Sequence, residues 1–216
     1  ATKWGYTYTA NFDPDAEVHE VKEHSLAKLN EQWKVSQALL PQLAYYQIHS
    51  ATRESGVLQN DAVLDRLSML KQEHNITIGL TTTGDNQVEV LEEAYQIERN
   101  GSRLFDLYQV TYNVFDQSIA RIASHIEAQL VIKEALANGR VFPNANYAHY
   151  TRAYDVLRQL VEKYGVGVDA LALRFCVDSI PMFKVLSGAS TAEHLASNLQ
   201  VNDFRLEKQD VDLLKS

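Results

Sequence analysis

The 216-residue sequence predicts an α/β fold in which short parallel strands alternate with helices. The first reason is a recurring pattern. Short apolar runs end abruptly in polar or charged residues, at positions 43–50, 76–83, 107–113, 130–134 and 183–188. The second reason is that stretches with helical spacing of apolar residues separate these runs, and we find no hairpin signals. In a barrel of such strands the carboxyl ends meet at one mouth, where we expect the functional side chains.

The N-terminal part of the chain is predicted to hold two strands and one long helix. Residues 3–9 form the first strand and lead into a loop. Residues 15–40 are predicted to be helical because their apolar side chains fall near the i, i+3, i+4 spacing of one helix face. Pro41 is a plausible stop for that helix. The second strand follows and runs to His49.

The later elements continue the alternation, and each has a local reason. Asp85 is a plausible N-cap, and Gly101 and Gly165 stand where helices end. The predicted helices are residues 61–73, 85–100, 117–129, 151–164, 169–178, 191–199 and 208–215. The predicted strands are residues 76–81, 107–112, 130–133 and 183–186.

Six strand-helix units leave two architectures, a β/α barrel or an open doubly wound sheet. A dinucleotide-binding open sheet needs a glycine-rich turn after its first strand, whereas Tyr6-Thr-Tyr-Thr stands at that place here. The barrel is therefore favoured, although six units are two short of closure. We predict a single domain over residues 1–216, a TIM-type (β/α)8 barrel that is incomplete, with about six βα units.

Composition excludes several classes of function. The formal net charge of -8 gives no general attraction to nucleic acid or to an anionic membrane surface. The single cysteine, Cys176, excludes an internal disulfide framework and suits a reducing compartment, so we expect a cytoplasmic protein. No apolar run approaches the roughly 20 residues that span a bilayer, and residues 1–15 lack the features of a signal peptide. The histidines are scattered without zinc-type spacing, so we expect no metal site.

Six stretches, in the expected order along the chain, resemble the aldo-keto reductase family, in particular its bacterial and channel-subunit-like branch. They are residues 2–5, 46–50, 78–82, 109–113, 170–174 and 186–198. The resemblance implies an eight-unit barrel in which this chain aligns from the third strand onward. The first two units are then expected to be absent from these 216 residues.

The resemblance also implies the chemistry. It implies an NADP-dependent oxidoreductase that reduces aldehydes or ketones to alcohols by hydride transfer from the nicotinamide cofactor. In the family a tyrosine donates the proton, a lysine lowers the pKa of that tyrosine, an aspartate holds the lysine, and a histidine orients the carbonyl. The resemblance assigns the lysine to Lys3 and the histidine to His49. The tyrosine and aspartate precede the aligned region, and Tyr6 and Tyr8 follow Lys3 on the wrong strand, so activity is expected only of a longer natural protein.

Cofactor contacts follow from the resemblance as well. Those near the nicotinamide amide are Thr81, Thr82 and Gln109, and those further along the chain are Lys133, Leu136, Arg140, Gly188, Ser190, His194 and Asn198. The turn from Gly188 to Ser190 leads into a helix N-terminus, which favours a phosphate. Family members that prefer the 2′-phosphate often carry lysine or arginine where Ser190 and His194 stand, so NAD is possible beside NADP.

Lys133 departs from the family pattern. The family commonly has an aromatic residue here that stacks under the nicotinamide, and a lysine has no π face. This departure and the partial catalytic set keep a second function open, a cofactor-binding regulatory barrel without turnover. A third is a sugar-phosphate barrel of another family that shares only the terminal phosphate site. The tyrosine-rich loop at residues 144–154 is a lid, a substrate wall or a solvent-facing loop, and the carbonyl substrate and oligomeric state are not in the sequence.

Overall fold

The computed structural model describes residues 1–11, 13, 15–180 and 184–216. The chain forms two compact units. The first comprises residues 1–109 and 126–129, and the second comprises residues 110–125 and 130–216.

The first unit is built on parallel strands. Its elements are β1 (Thr2–Trp4), β2 (Tyr6–Tyr8), β3 (Glu20–Lys22), α1 (Leu26–Ser36), β4 (Tyr45–Ala51), α2 (Asp61–His74), β5 (Thr77–Thr82), α3 (Gln87–Tyr95), β6 (Glu98–Arg99), β7 (Ser102–Arg103) and the first residues of β8 (Leu107–Thr111). β4 pairs in parallel with β1 and β5, and β5 pairs in parallel with β8. Its core includes the fully buried side chains of Ile48, Leu67 and Leu80.

The second unit contains the end of β8 and most of the later helices. Its further elements are α4 (Ala120–Ala123), β9 (Gln129–Lys133, apart from its first residue), α5 (Thr151–Tyr164), α6 (Val168–Ser179), β10 (Lys184–Val185), α7 (Ala192–Leu199) and α8 (Lys208–Leu214). β9 and β10 pair in parallel. α6 is the central helix, because every residue from Ala170 to Cys176 is buried.

The order of the main strands decides between the two architectures. The six strands of the sheet follow one another as β1-β4-β5-β8-β9-β10, which is their order along the chain. A doubly wound sheet reverses its strand order at a switch point, and this sheet does not. The predicted α/β fold with six strand-helix units is therefore confirmed, and its strand order is that of a β/α barrel.

The predicted helix over residues 15–40 is wrong in its first part. Residues 20–22 form β3, which pairs antiparallel with β2, and the helix begins only at Leu26 after its N-cap Ser25. Ser25 Oγ accepts a hydrogen bond from the Lys28 N–H at 3.1 Å, which satisfies one of the free donors of the first turn. The predicted strand over residues 3–9 is interrupted at Gly5, where φ is 110°.

Two further expectations were wrong. The predicted helix over residues 85–100 ends at Tyr95, and the β6–β7 hairpin follows it. Its turn, Asn100-Gly101, has positive φ at both residues. An Asn-Gly pair is a strong hairpin signal in a sequence, but Gly101 had been interpreted as the end of a helix. The predicted helix over residues 117–129 contains only the four residues of α4.

The remaining elements agree with the prediction. α5 has the predicted bounds, α6 is one residue longer than predicted at each end, and α7 and α8 differ by one residue at one end. The predicted last strand began at Phe183, which lies outside the described residues, and β10 covers the next two residues. Within the described part of the chain, none of the helices has the length and apolar character needed to cross a membrane.

Candidate active site

The carboxyl end of β4 carries His49. β4 bulges at this point, because two of its residues, His49 and Ser50, oppose the single residue Thr81 of β5. Ser50 has a left-handed backbone with φ of 53°. Bulges bend a strand and redirect a side chain, and they are frequent next to active sites. The bulge therefore sets the direction of the half-buried His49 side chain.

Three contacts hold the bulge and its histidine. His24 Nε2 lies 2.9 Å from the carbonyl oxygen of His49. The Ser50 N–H donates to Thr81 Oγ1 at 2.7 Å. The ring of Tyr6 packs on the imidazole of His49, with the two centroids 4.6 Å apart. Burial lowers the pKa of His24 to about 4, so this ring is neutral at neutral pH.

The strand registers bring most of the predicted residues of the first unit to one face of its sheet. Lys3 of β1 lies opposite Gln47, which stands two residues before His49 in β4. Gln47 in turn lies opposite Gly79 of β5. Two residues further along β5, Thr81 lies opposite Gln109 of β8. Because side chains alternate along a strand with a period of two, Lys3, Gln47, Thr81 and Gln109 share this face. The pairing of β4 is regular up to Ile48, so the alternation brings His49, the first residue of the bulge, to the same face.

Thr82 points the other way. Its side chain is fully buried, and its Oγ1 lies 3.3 Å from Gln87 Oε1 and 3.5 Å from the carbonyl oxygen of Gln109. A hydroxyl has one proton to donate, and this one is directed to neighbours inside the protein. Thr82 therefore supports the strand that carries Gln109, while Thr81 lies on the same face as His49.

Sequence reasoning missed three residues of this region: Gln47, Tyr6 and His24. Gln47 is 5% exposed, and its Oε1 has no hydrogen-bond partner among the described residues. A buried acceptor that lacks a donor is a place where a ligand can supply one. Gln47 could have been predicted, because it precedes His49 by two residues and side chains at that spacing lie on the same face of a strand. His24 approaches from a distant segment of the chain, and the sequence holds no signal for that contact.

In the second unit, Lys133 is fixed at the ends of two strands. Its Nζ lies 2.5 Å from Glu134 Oε1 and donates to Thr111 Oγ1 at 2.7 Å. Glu134 has a left-handed backbone with φ of 57°, and its carbonyl accepts from Asn113 Nδ2 at 3.0 Å. The ammonium therefore stands at the carboxyl ends of β8 and β9, held by an anion and a hydroxyl.

A cavity of about 400 Å³ lies beside this ion pair. Three of the predicted cofactor residues, Lys133, Leu136 and Gly188, line it. Gly139 and Gly188 both contribute to the wall, and a Cβ at either position would meet no described atom within 4 Å. The backbone is therefore open to a ligand at two places on the cavity wall.

The other predicted cofactor residues of this unit make local contacts. Arg140 Nε donates to a carbonyl of its own loop at 3.0 Å. Asn198 is 4% exposed, and its Nδ2 donates to Ser187 Oγ, a cavity-lining residue, at 2.8 Å. Ser190 Oγ and His194 Nδ1 are 3.3 Å apart at the exposed start of α7. Asn198 thus braces the cavity wall, while Ser190 and His194 stand on the surface.

The tyrosine-rich loop belongs to the second unit and packs against other residues of it. A short 3-10 helix, Ala145–Tyr150, places Tyr150 on the ring of Phe115, with centroids 4.4 Å apart. The hydroxyl of Tyr154 donates to the carbonyl of Arg140 at 2.9 Å. No group of three or more histidine, cysteine, aspartate or glutamate side chains able to hold a metal occurs in the described part of the chain.

Comparisons with solved structures give several similar folds. A glycerol dehydrogenase from Gluconobacter oxydans has a TM-score of 0.73 at 20% identity, covering 99% of this chain and 71% of that one. An aldo-keto reductase from Bacillus halodurans, in its holo form, has a TM-score of 0.66 at 22% identity, covering 89% and 67%. An aldo-keto reductase from a Medee basin deep-sea metagenome has a TM-score of 0.63 at 18% identity, covering 88% and 65%.

These likenesses show the fold, and the predicted TIM-type α/β barrel class, of which this chain holds six strand-helix units, is confirmed by them. A comparison with curated protein sequences gives no match. The model of the Aldo/keto reductase family matches residues 1–216, the whole chain. That match and the resemblance of six separate stretches agree, and the chain belongs to the aldo/keto reductase family.

Proposed function

We propose that this chain binds NADPH, with NADH as a weaker alternative, and that the protein reduces a small aldehyde or ketone to its alcohol. The observation that carries the proposal is the common face of Lys3, His49 and Gln109. A cation, an imidazole and an amide have different chemistry, and strand register collects them from three strands on one face. Membership of the aldo/keto reductase family removes the alternative of a sugar-phosphate barrel from another family.

Each residue of this face has a role in the proposal. The imidazole of His49 orients the carbonyl oxygen and holds a proton near it at a ring nitrogen. The ammonium of Lys3 supplies the positive charge that, in the family, lowers the pKa of the proton-donating tyrosine. The amides of Gln47 and Gln109 donate and accept hydrogen bonds, as recognition of a carboxamide requires.

The residues of the second unit fit a nucleotide. The cavity of about 400 Å³ is open at Gly139 and Gly188, where a ligand can approach the backbone without meeting a side chain. Leu136 adds an apolar wall, and the ammonium of Lys133 adds positive charge. When bound, the reduced nicotinamide would supply the hydride, that is two electrons and one proton, to the carbonyl carbon.

One observation favours a second function, cofactor binding without turnover. Lys133 stands where the family commonly stacks an aromatic ring under the nicotinamide, and its ammonium is held by Glu134 and Thr111. An ion pair cannot replace the stacking surface of an aromatic ring. If the nicotinamide ring is not held flat, the cofactor is bound and the hydride is not delivered.

A titration with NADPH, followed by a turnover assay, separates these functions. NADPH fluorescence reports binding, and oxidation of NADPH with an aromatic aldehyde reports reduction. We expect binding and turnover in the full-length natural protein, and a loss of roughly 100-fold in its kcat for His49→Ala, the scale of one lost general acid–base group. His125→Ala is the matched control, because His125 is exposed and lies outside the common face.

Three outcomes decide the proposal. Turnover that depends on His49 and not on His125 supports carbonyl reduction. NADPH binding without oxidation supports the second function. A fluorescence titration with no binding rejects both.

A further inference from the structure

We propose that His24 is the positioning residue of this site: through its Nε2–H it holds the bulged backbone of β4 and so directs the imidazole of His49. The proposal rests on the proposed function, in which His49 meets the carbonyl of the substrate. His24 is not part of the common face or of the cavity beside Lys133. In the proposal it acts through the backbone of His49 and has no contact with the substrate.

The bulge needs an anchor from outside the sheet. Where His49 and Ser50 together oppose Thr81, the regular ladder of hydrogen bonds is interrupted and backbone groups lose their strand partners. The neighbouring strand satisfies one of them, since Thr81 Oγ1 accepts from the Ser50 N–H. The carbonyl of His49 receives its partner from His24, 25 residues earlier in the chain.

His24 is itself firmly held. It is 8% exposed, and its ring meets that of Trp4 edge to face, with centroids 5.5 Å apart. The Cδ2–Nε2 edge of the ring lies against Gly5, where a Cβ would stand only 2.4 Å from His24 Cδ2. The residue that follows it, Ser25, caps α1. The imidazole therefore has little freedom to leave the carbonyl that it contacts.

The chemistry of the ring fixes the direction of the hydrogen bond. A carbonyl oxygen only accepts, so the nitrogen that faces it, His24 Nε2, carries the hydrogen. A neutral imidazole has one N–H, and Nδ1 is then a lone pair. This Nδ1 is buried and has no partner among the described residues. An unsatisfied buried acceptor is unfavourable, and it is tolerated here because the opposite nitrogen is needed as a donor.

The anchor controls His49 from its backbone side, and Tyr6 contacts the imidazole itself. If the hydrogen bond from His24 is lost, the carbonyl of His49 must turn toward another donor or toward water. Without that anchor the bulged backbone is free to shift, and a shift of the His49 Cα carries the ring away from the common face. A misplacement of this kind is large enough to slow a reaction that depends on orientation.

Two substitutions separate positioning from packing. His24→Leu fills the site with an apolar side chain and removes the donor. His24→Gln keeps an amide N–H that reaches the place of Nε2. In protein labelled with 13C and 15N at histidine, the Cε1–Hε1 resonance of His49 is assigned from its absence in His49→Gln. We expect this resonance and its titration curve to change in His24→Leu and to stay near the unaltered protein's in His24→Gln.

The unaltered protein provides a test that does not depend on any variant folding. The 15N shifts of His24 report its tautomer. The Nε2–H tautomer, neutral at neutral pH, supports the proposal, and an Nδ1–H tautomer overturns it. A folded His24→Leu protein whose His49 resonance titrates as before also overturns it.

Kinetics then connect positioning to function. With NADPH saturating, we expect His24→Leu to lower kcat about 10-fold, the scale of a misoriented group, with unchanged NADPH affinity, and His24→Gln to restore most of the rate. An unaltered kcat in His24→Leu would contradict the proposal. If the full-length natural protein shows no turnover, the proposed reduction fails, while the tautomer of His24 and the His49 resonance still decide whether His24 holds the bulge.

Discussion

At the scale of single residues, Gly5 makes room for the contacts around His49. Its φ of 110° belongs to a backbone conformation that residues other than glycine rarely adopt. The missing Cβ leaves space for the ring of His24, and the carbonyl of Gly5 accepts from the Glu23 N–H at 2.9 Å. Gly5 thus joins β1 to the segment that anchors β4.

Gly5→Ala is predicted to destabilise the protein by about 2 kcal/mol or more, because backbone strain and a steric clash add. Chemical denaturation followed by circular dichroism measures this. Gly56→Ala is the control, since Gly56 also has positive φ, 60°, but a Cβ there would meet no described atom within 4 Å. Equal effects of the two substitutions would show that the ring of His24 does not fill this space.

His24 also predicts a pH dependence of stability. Burial, then nearby charges on Lys22 and His49, lower its pKa to about 4, from the ordinary 6.5, against the opposing effect of its hydrogen bond to the His49 carbonyl. Between these values the unfolded chain binds a proton that the folded chain does not. This contribution is therefore complete above pH 6.5 and is lost as the pH falls toward 4, by up to about 3 kcal/mol.

The measurement is the free energy of unfolding at several pH values, for the unaltered protein and for His24→Gln. Carboxylates titrate in both proteins, so the difference between the two curves gives the contribution of His24 to the pH dependence of the free energy of unfolding. We expect the unaltered protein to lose more stability than the variant between pH 6.5 and 4. Parallel curves in that range would contradict a buried neutral His24.

Residue identities in the site were only partly predictable. His49, Thr81 and Gln109 were predicted as site residues because each stands at the carboxyl end of an apolar run and matches a position of the aldo-keto reductase resemblance. Gln47 was missed although it lies two residues before His49, on the same strand face. His24 could not be found, since its role depends on a contact between residues 25 apart.

At the scale of elements, α8 is attached to α5 by a buried carboxylate. Asp210 is 6% exposed, accepts from Lys163 Nζ at 2.7 Å, and accepts from the hydroxyl of Tyr164. The hydroxyl of Tyr164 in turn accepts from the Glu207 N–H at 3.0 Å. This network joins the end of one helix to the first turn of the other.

Asp210→Asn is predicted to destabilise the second unit by about 1–3 kcal/mol, because it removes the charge from a buried hydrogen-bonded group. Thermal or urea unfolding measures the change. Glu207→Gln is the control: it removes the exposed carboxylate that contacts the same Lys163, and exposed pairs contribute less than about 1 kcal/mol. A larger effect at Glu207 than at Asp210 would refute this ranking.

Elements were predictable where local signals were unambiguous. α5 ends at Gly165, which has the left-handed φ of 66° that suits a helix end, and both its bounds were predicted. The two hairpins were missed for different reasons. β6–β7 had an Asn-Gly signal that was misread as a helix end. In and just before β3, the exposed Val21 and Val18 resemble a helix face when periodicity alone is considered.

At the scale of the whole molecule, charge sets the behaviour in solution. The chain has a formal charge of -8 at pH 7 and an isoelectric point near 5.3. We predict that self-association, measured by light scattering of the 216-residue chain, is greatest near pH 5.3 and falls toward pH 8, because repulsion disappears at zero net charge. Scattering that is independent of pH would contradict this.

The architecture followed from patterns that every unit repeats, and this is why it was predicted well. Alternation of apolar runs and amphipathic helices requires parallel strands with crossover connections. The choice between a barrel and a doubly wound sheet rested on one negative observation, the lack of a glycine-rich turn after the first strand. The strand order supplied positive evidence for the barrel, because the strands follow one another in the sheet as they do along the chain.

The sequence by itself determined the alternation of strands and helices, the family, and the strand ends at which chemistry is expected, because these depend on local patterns along the chain. The tertiary structure alone decided which of those polar groups share a face, since strand register separates Thr81 from Thr82 and joins Lys3 to Gln47. It also decided how His49 is aimed, through a bulge and a donor from a distant loop. Hydrogen bonds between residues far apart in the chain leave no local pattern, so they become visible only when the chain is folded.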